Sequence, residues 1–170
     1  MNRTHQTHHR IPKLLAVLAF ASLNALADEK RADPRRIVVS IPDHKLALIE
    51  GDRVLRVYDI AVGKASTPSP EGAFRVVTRI AHPTYYHAGK VVGPGTSNPL
   101  GTRWLGLSVA GYGIHGTNVP QSIGKHASHG CIRMRNRDVE ELFELVPVGV
   151  TVELLGARPE LFLKILAVAD

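Results

Sequence analysis

The sequence contains two short motifs, IHGT at residues 114–117 and SHGCIRM at residues 128–134, and the second holds the chain's only cysteine, Cys131. A cysteine attacks as its thiolate, and a nearby imidazole is the usual group that takes the thiol proton. His115 and His129 are both candidate bases, and their spacing does not rank them. On an extended segment His129 would point to the same side as Cys131, whereas His115 must approach through the fold.

Two neighbours of the cysteine strengthen the prediction of an acyl-transfer site. Gly130 lacks a Cβ, so the backbone can approach a scissile carbonyl, and the N–H groups of Gly130 and Cys131 can form an oxyanion hole. Arg133 supplies a fixed positive charge that suits a substrate carboxylate through two hydrogen bonds.

Simpler readings of these residues remain open at this point. A free cysteine often behaves as a small buried hydrophobe. His115, His129 and Cys131 could instead hold a zinc ion with one open position. The zinc hypothesis explains the cysteine but not Gly130 or Arg133, and metal analysis of the purified protein would distinguish it.

Together the two motifs resemble the signature of the L,D-transpeptidase catalytic domain, the YkuD-type fold. That signature is a histidine, a gap, then Ser/Thr-His-Gly-Cys, a hydrophobic residue, and Arg or Asn. The stretches TPSPEG (67–72) and NPLGTRW (98–104), and Gly124-Lys125, also look like the family. The resemblance extends from about residue 36 to about residue 155.

The resemblance implies an enzyme that acts on peptidoglycan stem peptides without a cofactor. Such enzymes attack the carbonyl of the third stem residue, release the terminal D-Ala, and transfer the acyl group from the cysteine to an amine. Water as the acceptor would make the protein an L,D-carboxypeptidase. Carbapenem β-lactams are the implied covalent inhibitors. The remaining alternative, a non-catalytic wall-binding module, has no need of Cys131 or His115.

Residue roles follow from the resemblance by matching positions. Cys131 is then the nucleophile and His115 the base. The other implied roles are that the Gly116 carbonyl orients the His115 ring, that His129, Gly130 and Arg133 shape the oxyanion and substrate subsites, and that Ser128 steadies the loop.

Residues 1–27 have the pattern of a secretory signal. Arg3, Arg10 and Lys13 form a basic start, residues 14–26 are almost wholly apolar, and Ala25-Leu26-Ala27 suits a signal peptidase. The fourteen residues 14–27 would form a helix of roughly 21 Å, shorter than the ~30 Å hydrocarbon core of a membrane. We expect cleavage after Ala27, no stable membrane insertion afterwards, and a product in the periplasm or cell wall.

The mature chain is expected to form one catalytic domain and to carry little net charge. Removing the signal lowers the formal charge from +6 to +3, because that segment has three basic residues and no acid. This mild charge does not favour nucleic acid as a partner. The expected organisation is a short segment at 28–35, the catalytic domain at 36–155 and a tail of helical composition at 156–170.

Residue patterns predict a mainly β fold, a twisted sandwich or barrel with one helix after the cysteine. Alternating apolar residues predict strands at 37–41, 45–50 and 54–62, arranged as an antiparallel meander. Further strands are expected at 74–80, 105–110, 113–115 and 148–155. A helix should follow Asn136 as its cap, because Val139, Leu142, Phe143 and Val146 have helical spacing.

Residues 81–103 form a long segment rich in glycine and proline, and such segments within compact domains are often functional. It holds His82, Tyr85, Tyr86 and His87, with Trp104 directly after it. We predict a lid or a wall of the binding site here, with substrate contacts from these side chains left open.

Overall fold

The computed structural model describes residues 35–158 and positions 160, 162, 164 and 167 of the tail. The expected signal segment at 1–27 and all but the last residue of the 28–35 segment lie outside the described residues. The elements are β1 (Arg35–Ser40), β2 (Lys45–Glu50), β3 (Arg53–Asp59), β4 (Val62–Gly63), β5 (Gly72–Ala81), β6 (Tyr85–His87), β7 (Lys90–Val92), β8 (Arg103–Leu107), β9 (Gly113–His115), a 3-10 turn (Pro120–Ser122), β10 (His126–Ser128), β11 (Ile132–Arg133), α1 (Asn136–Leu145) and β12 (Thr151–Leu155).

Eight of these strands form one curled sheet, in the order β11-β9-β8-β5-β12-β1-β2-β3. Strands β10 and β4 pair separately, as do β6 and β7. The mainly β fold expected from the sequence is confirmed. The first three strands form the expected antiparallel meander, while β12 lies parallel to β1 and antiparallel to β5. The last strand therefore joins the first half of the chain to the second.

Strands β1 and β2 are buried on both faces, which explains their nearly continuous apolar sequences. Ile37 and Leu48 belong to the main core. Val38 and Ala47 point the other way and pack with Phe162 of the tail, which is fully buried. Tail positions 160, 162, 164 and 167 are helical. No helix among the described residues is long and apolar enough to cross a membrane.

Helix α1 follows the cysteine motif, as expected, but Asn136 does not cap it. Arg135 holds the N-cap position and no side chain caps the helix. The Asn136 Oδ1 instead accepts a hydrogen bond of 3.0 Å from the Thr117 N–H. The capping prediction was wrong because the Asn136 side chain binds the backbone N–H of Thr117 in the IHGT motif and not an N–H of its own helix.

The expected loop at residues 81–103 is partly ordered as a hairpin. Strands β6 and β7 pair antiparallel, with Tyr85 opposite Val92 and Tyr86 opposite Val91. The Tyr86 and Val91 side chains are 73% and 64% exposed. This hairpin therefore adds little to the core and is held by the contacts described below.

Candidate active site

The two motifs meet because β9 and β11 pair as parallel strands. Ile132 lies opposite Ile114, and Arg133 lies opposite His115. The Met134 N–H also donates to the His115 carbonyl at 2.8 Å. Both isoleucines are buried in the core, so the register is fixed by apolar packing as well as by backbone hydrogen bonds. Cys131 therefore lies directly before a strand that runs beside His115.

Both residues open into one cavity of about 490 Å³. Five of the expected site residues line it, together with strand β6 and Trp104. The lining residues are Ile80, Pro83, Thr84, Tyr85, Tyr86, His87, Pro99, Leu100, Trp104, Gly111, His115, Ser128, His129, Cys131 and Arg133. Gly116 and Gly130 lie directly beside lining residues in the chain, and His82 is not part of the lining. None of these lining residues is acidic.

His115 is buried and held in one orientation. Its side chain is only 4% exposed, and its Nδ1 donates to the Gly116 carbonyl at 2.6 Å. With the proton on Nδ1, the Nε2 atom carries the lone pair. Burial lowers the pKa of His115 to about 4, opposed by backbone hydrogen bonds to Gly116 and Leu100 and assisted by the positive charge of Arg133. The imidazole is therefore neutral at neutral pH and able to accept a proton.

The Cys131 thiol is also neutral at rest. Its S–H donates to the Gly111 carbonyl at 3.6 Å. Burial raises the pKa of Cys131, while a backbone hydrogen bond from Gly113 and the charge of Arg133 act in the opposite direction. A neutral thiol and a neutral imidazole in one cavity form a charged pair only when a proton moves between them.

The Ser128 side chain closes the cysteine loop on itself. Its buried hydroxyl donates to the Cys131 carbonyl at 2.6 Å and accepts from the Gly130 N–H at 3.0 Å. The expected oxyanion hole included the Gly130 N–H, but this group is already bound within the loop. Sequence spacing did not reveal this, because the acceptor that the Gly130 N–H binds depends on how the loop folds.

Gly130 is required at its position by two features of the backbone. Its φ angle of 113° belongs to the region that favours glycine. A Cβ there would also lie 2.6 Å from the Tyr112 ring and 3.2 Å from the Pro68 carbonyl oxygen. The cysteine loop is thus packed directly against both neighbours.

The TPSPEG stretch and the residues before it support the same loop from outside. The Lys64 N–H and the Thr67 hydroxyl both donate to the Ser128 carbonyl, at 3.2 and 3.3 Å. Lys64 Nζ lies 3.4 Å from His129 Nε2, and the His129 side chain is exposed. The two histidines that spacing did not rank therefore differ: His115 is buried and oriented, and His129 lies at the cavity mouth beside a lysine.

Arg133 faces the cavity with unused hydrogen-bonding capacity. Its side chain is partly buried, and its Nε has no hydrogen-bond partner among the described residues. Burial lowers the pKa of Arg133, although an arginine stays charged at any physiological pH. A half-buried guanidinium in a cavity without acidic lining is suited to bind a carboxylate.

Asn98 has a role that the sequence did not reveal. It is fully buried; its amide donates to the carbonyls of Pro83, Val92 and Gly93 at 2.7, 3.3 and 3.1 Å, and its oxygen accepts from the Leu100 N–H at 2.8 Å. One side chain thus ties the β6–β7 hairpin to the loop before β8. The family-like stretch at 98–104 was the only available signal.

The zinc hypothesis required His115, His129 and Cys131 to converge. Within residues 35–158 and the four described tail positions, no group of three or more His, Cys, Asp or Glu side chains is arranged to hold a metal ion.

Known proteins resemble this chain in sequence over most of its length. The family model of the L,D-transpeptidase catalytic domain (YkuD) matches residues 34–154. The putative L,D-transpeptidase YkuD of Bacillus licheniformis is 47% identical over 121 residues, which cover 71% of this chain and 66% of that protein. The chain thus spans about two thirds of that relative's length.

Solved structures share the fold. The catalytic domain of an E. faecium L,D-transpeptidase matches with a TM-score of 0.60 and 26% identity, covering 74% of this chain and 99% of that one. An L,D-transpeptidase in complex with imipenem matches with a TM-score of 0.62 and 22% identity, covering 72% of this chain and 59% of that one.

Replacing Gly130 with alanine should destabilise the fold and slow every reaction of Cys131. The new Cβ would strain the backbone and collide with the Tyr112 ring, so we expect a loss of about 2–4 kcal/mol in the free energy of unfolding. Gly149→Ala is the matched control, since Gly149 has a φ of 96° but open space around its Cβ position. Denaturant unfolding of both variants that gave equal losses would contradict the packing described for Gly130.

Proposed function

Because the chain belongs to the family of L,D-transpeptidase catalytic domains, we propose that it cleaves and transfers peptidoglycan stem peptides through an acyl-enzyme on Cys131. The observation that carries the proposal is the pairing of β9 with β11. It brings a neutral, oriented His115 and the chain's only thiol into one cavity.

The first half-reaction forms a thioester and releases an amine. His115 Nε2 takes the Cys131 proton as Sγ attacks the carbonyl carbon of the third stem residue, and the carbonyl oxygen becomes an oxyanion. Since the Gly130 N–H is bound to Ser128, the Cys131 N–H is the neighbouring amide left to stabilise this oxygen. Collapse breaks the C–N bond, and the proton on His115 passes to the departing D-Ala nitrogen.

The second half-reaction transfers the acyl group and restores the thiol. His115 takes a proton from an incoming amine as its nitrogen attacks the thioester carbonyl. The C–S bond then breaks, and Cys131 Sγ regains its proton from His115. A water molecule in place of the amine would hydrolyse the thioester, which is the L,D-carboxypeptidase alternative. The two acceptors differ only in this step, so product analysis with a tetrapeptide donor and an added amine distinguishes them.

The cavity's charge supports a substrate that carries carboxylates. Arg133 lines the cavity and its buried Nε has no partner among the described residues, and Lys64 lies beside the lining residue His129. A third stem residue such as diaminopimelate and a terminal D-Ala both bring carboxylates. The rest of the stem peptide can lie along strand β6, where Tyr85, Tyr86 and His87 line the cavity.

Export to the periplasm or cell wall is part of the proposal, because peptidoglycan is found there. It rests on the signal-like residues 1–27. We expect the exported protein to begin at Asp28 after cleavage behind Ala27. N-terminal sequencing of the protein recovered outside the cytoplasm tests this, and an intact Met1 in that fraction would contradict it.

A carbapenem such as imipenem should form a covalent adduct with Cys131, since ring opening of the lactam mimics acyl transfer to the thiol. Intact-protein mass spectrometry should show one imipenem mass added per chain. Cys131→Ser keeps the size of the side chain but removes the thiol, and it should give no adduct. An equal adduct on the serine variant, or none on the native protein, would overturn the acyl-enzyme mechanism. One tightly held zinc per chain in metal analysis would favour the metal-site alternative instead.

The acylation rate should be independent of pH near neutrality and fall as the pH drops through about 4, where the buried His115 becomes protonated. Stopped-flow measurement of imipenem acylation over short times would give this profile. His115→Ala is the control: without a base the rate should depend on free thiolate and rise with pH across the neutral range. A native profile that already falls between about pH 7 and pH 6 would indicate a base of ordinary histidine pKa and contradict the lowered pKa of His115 in that role.

A further inference from the structure

We propose that Trp104 is the positioning residue for the base, with its indole ring holding the His115 imidazole in place and stabilising the imidazolium that forms when His115 takes the Cys131 proton. This inference rests on the proposed role of His115 as the base. It adds a role for a residue that touches the base itself.

The first support is the geometry of the two rings. Trp104 on β8 lies directly opposite His115 on β9 in the antiparallel register. Their ring centroids are 5.6 Å apart with an interplanar angle of 24°, which is a stacked arrangement. The Gly116 carbonyl holds one edge of the imidazole through Nδ1. The His115 ring is thus held at one edge by a hydrogen bond and on one face by stacking. These contacts restrict rotation about the His115 side-chain bonds.

The second support is that two glycines near Trp104 lack side chains that would collide with the indole. A Cβ at Gly113 would lie 2.6 Å from the Trp104 atoms Cζ2 and Cη2. A Cβ at Gly106 would lie 2.8 Å from Trp104 Nε1. Both glycines belong to the regular strand region around Trp104, where a side chain would otherwise be expected to pack. The indole therefore has a defined position beside His115.

The third support is that no carboxylate of residues 35–158 lines the cavity or shifts the pKa of the base. In many nucleophilic enzymes an acidic side chain holds the catalytic imidazole and stabilises its charged form. The groups that shift His115 in this structure are the backbone at Gly116 and Leu100, the charge of Arg133 and burial itself. Arg133 repels an imidazolium, so charge on His115 needs a compensating interaction. The face of an indole attracts a charged imidazolium more strongly than it attracts a neutral imidazole. This attraction grows when water is excluded from the site.

The consequence for the reaction is a differential effect. Before proton transfer both groups are neutral and Trp104 contributes mainly position. After transfer Cys131 carries a negative charge and His115 a positive one, and the indole face then interacts more strongly with the ring it covers. An interaction that strengthens on the way to the transition state raises the rate rather than only the affinity.

Alkylation of Cys131 by iodoacetamide tests the inference without a peptidoglycan substrate. In this reaction Sγ displaces iodide, an S–C bond forms, and the thiol proton leaves through His115. We expect Trp104→Leu to slow alkylation at neutral pH about tenfold, because it keeps an apolar side chain but removes the ring face. Trp104→Phe keeps a ring face and should stay within about threefold of the native rate. His115→Ala sets the rate without a base.

A matched control separates this role from general loss of packing. Phe143→Leu also replaces a partly buried aromatic ring with leucine, but the Phe143 ring lies outside the cavity, 4.1 Å from the Arg79 guanidinium. It should lower the thermal unfolding temperature and leave the alkylation rate unchanged. Folded Trp104→Leu protein that reacts at the native rate, or Trp104→Phe protein as slow as Trp104→Leu, would overturn the inference.

The assay also separates failure of this inference from failure of the proposed function. If stem peptides are not the substrate, transpeptidation fails while the ranking of the Trp104 variants in alkylation is kept. If His115→Ala alkylates as fast as the native protein, His115 is not the base, and both the inference and that part of the mechanism are wrong.

Discussion

The parallel pairing of β9 with β11 is the constraint on which the candidate site depends. Parallel neighbours need a long connection between them, and residues 116–131 supply it. The pairing buries Ile114 against Ile132 and sets Arg133 opposite His115. A slip of one residue would exchange the core face of each strand for the cavity face. The apolar core therefore fixes the relative positions of the base, the arginine and the cysteine loop.

This placement leaves His115 and Cys131 uncharged at rest beside the charged Arg133. Burial disfavours the charged forms of both His115 and Cys131, so the protein does not hold a preformed ion pair in the cavity. In the proposed mechanism, the charged pair is needed only during the reaction. Its stabilisation must come from fixed dipoles and polarisable groups that are already in place, such as the Gly116 carbonyl, the Gly113 N–H and the Trp104 ring. Such groups need no rearrangement when the proton moves.

Several polar side chains form hydrogen bonds that hold the site together and are therefore not available for bonds to their own local element. Asn136 binds the Thr117 N–H and leaves helix α1 without a side-chain cap. Ser128 donates to the Cys131 carbonyl and accepts from the Gly130 N–H within its own loop. Asn98 binds three carbonyls of the hairpin region. Ser128 and Asn98 are buried with their polar groups hydrogen-bonded, and the partly buried Asn136 uses its Oδ1, which makes these positions sensitive to substitution.

The sequence by itself determined the mainly β class, the β1–β3 meander, the helix after the cysteine and the family, because alternating residues, helical spacing and contiguous motifs are local patterns. It also named the five lining residues that lie within the two short motifs, but not most of the other ten. Only the tertiary structure decided which histidine is buried, where β12 pairs, what Asn136 and Asn98 bind, and that Trp104 covers His115. Those outcomes depend on partners distant in sequence, whose register is set by core packing and strand pairing. Local pattern carries no information about which distant donor, acceptor or ring will arrive at a given side chain.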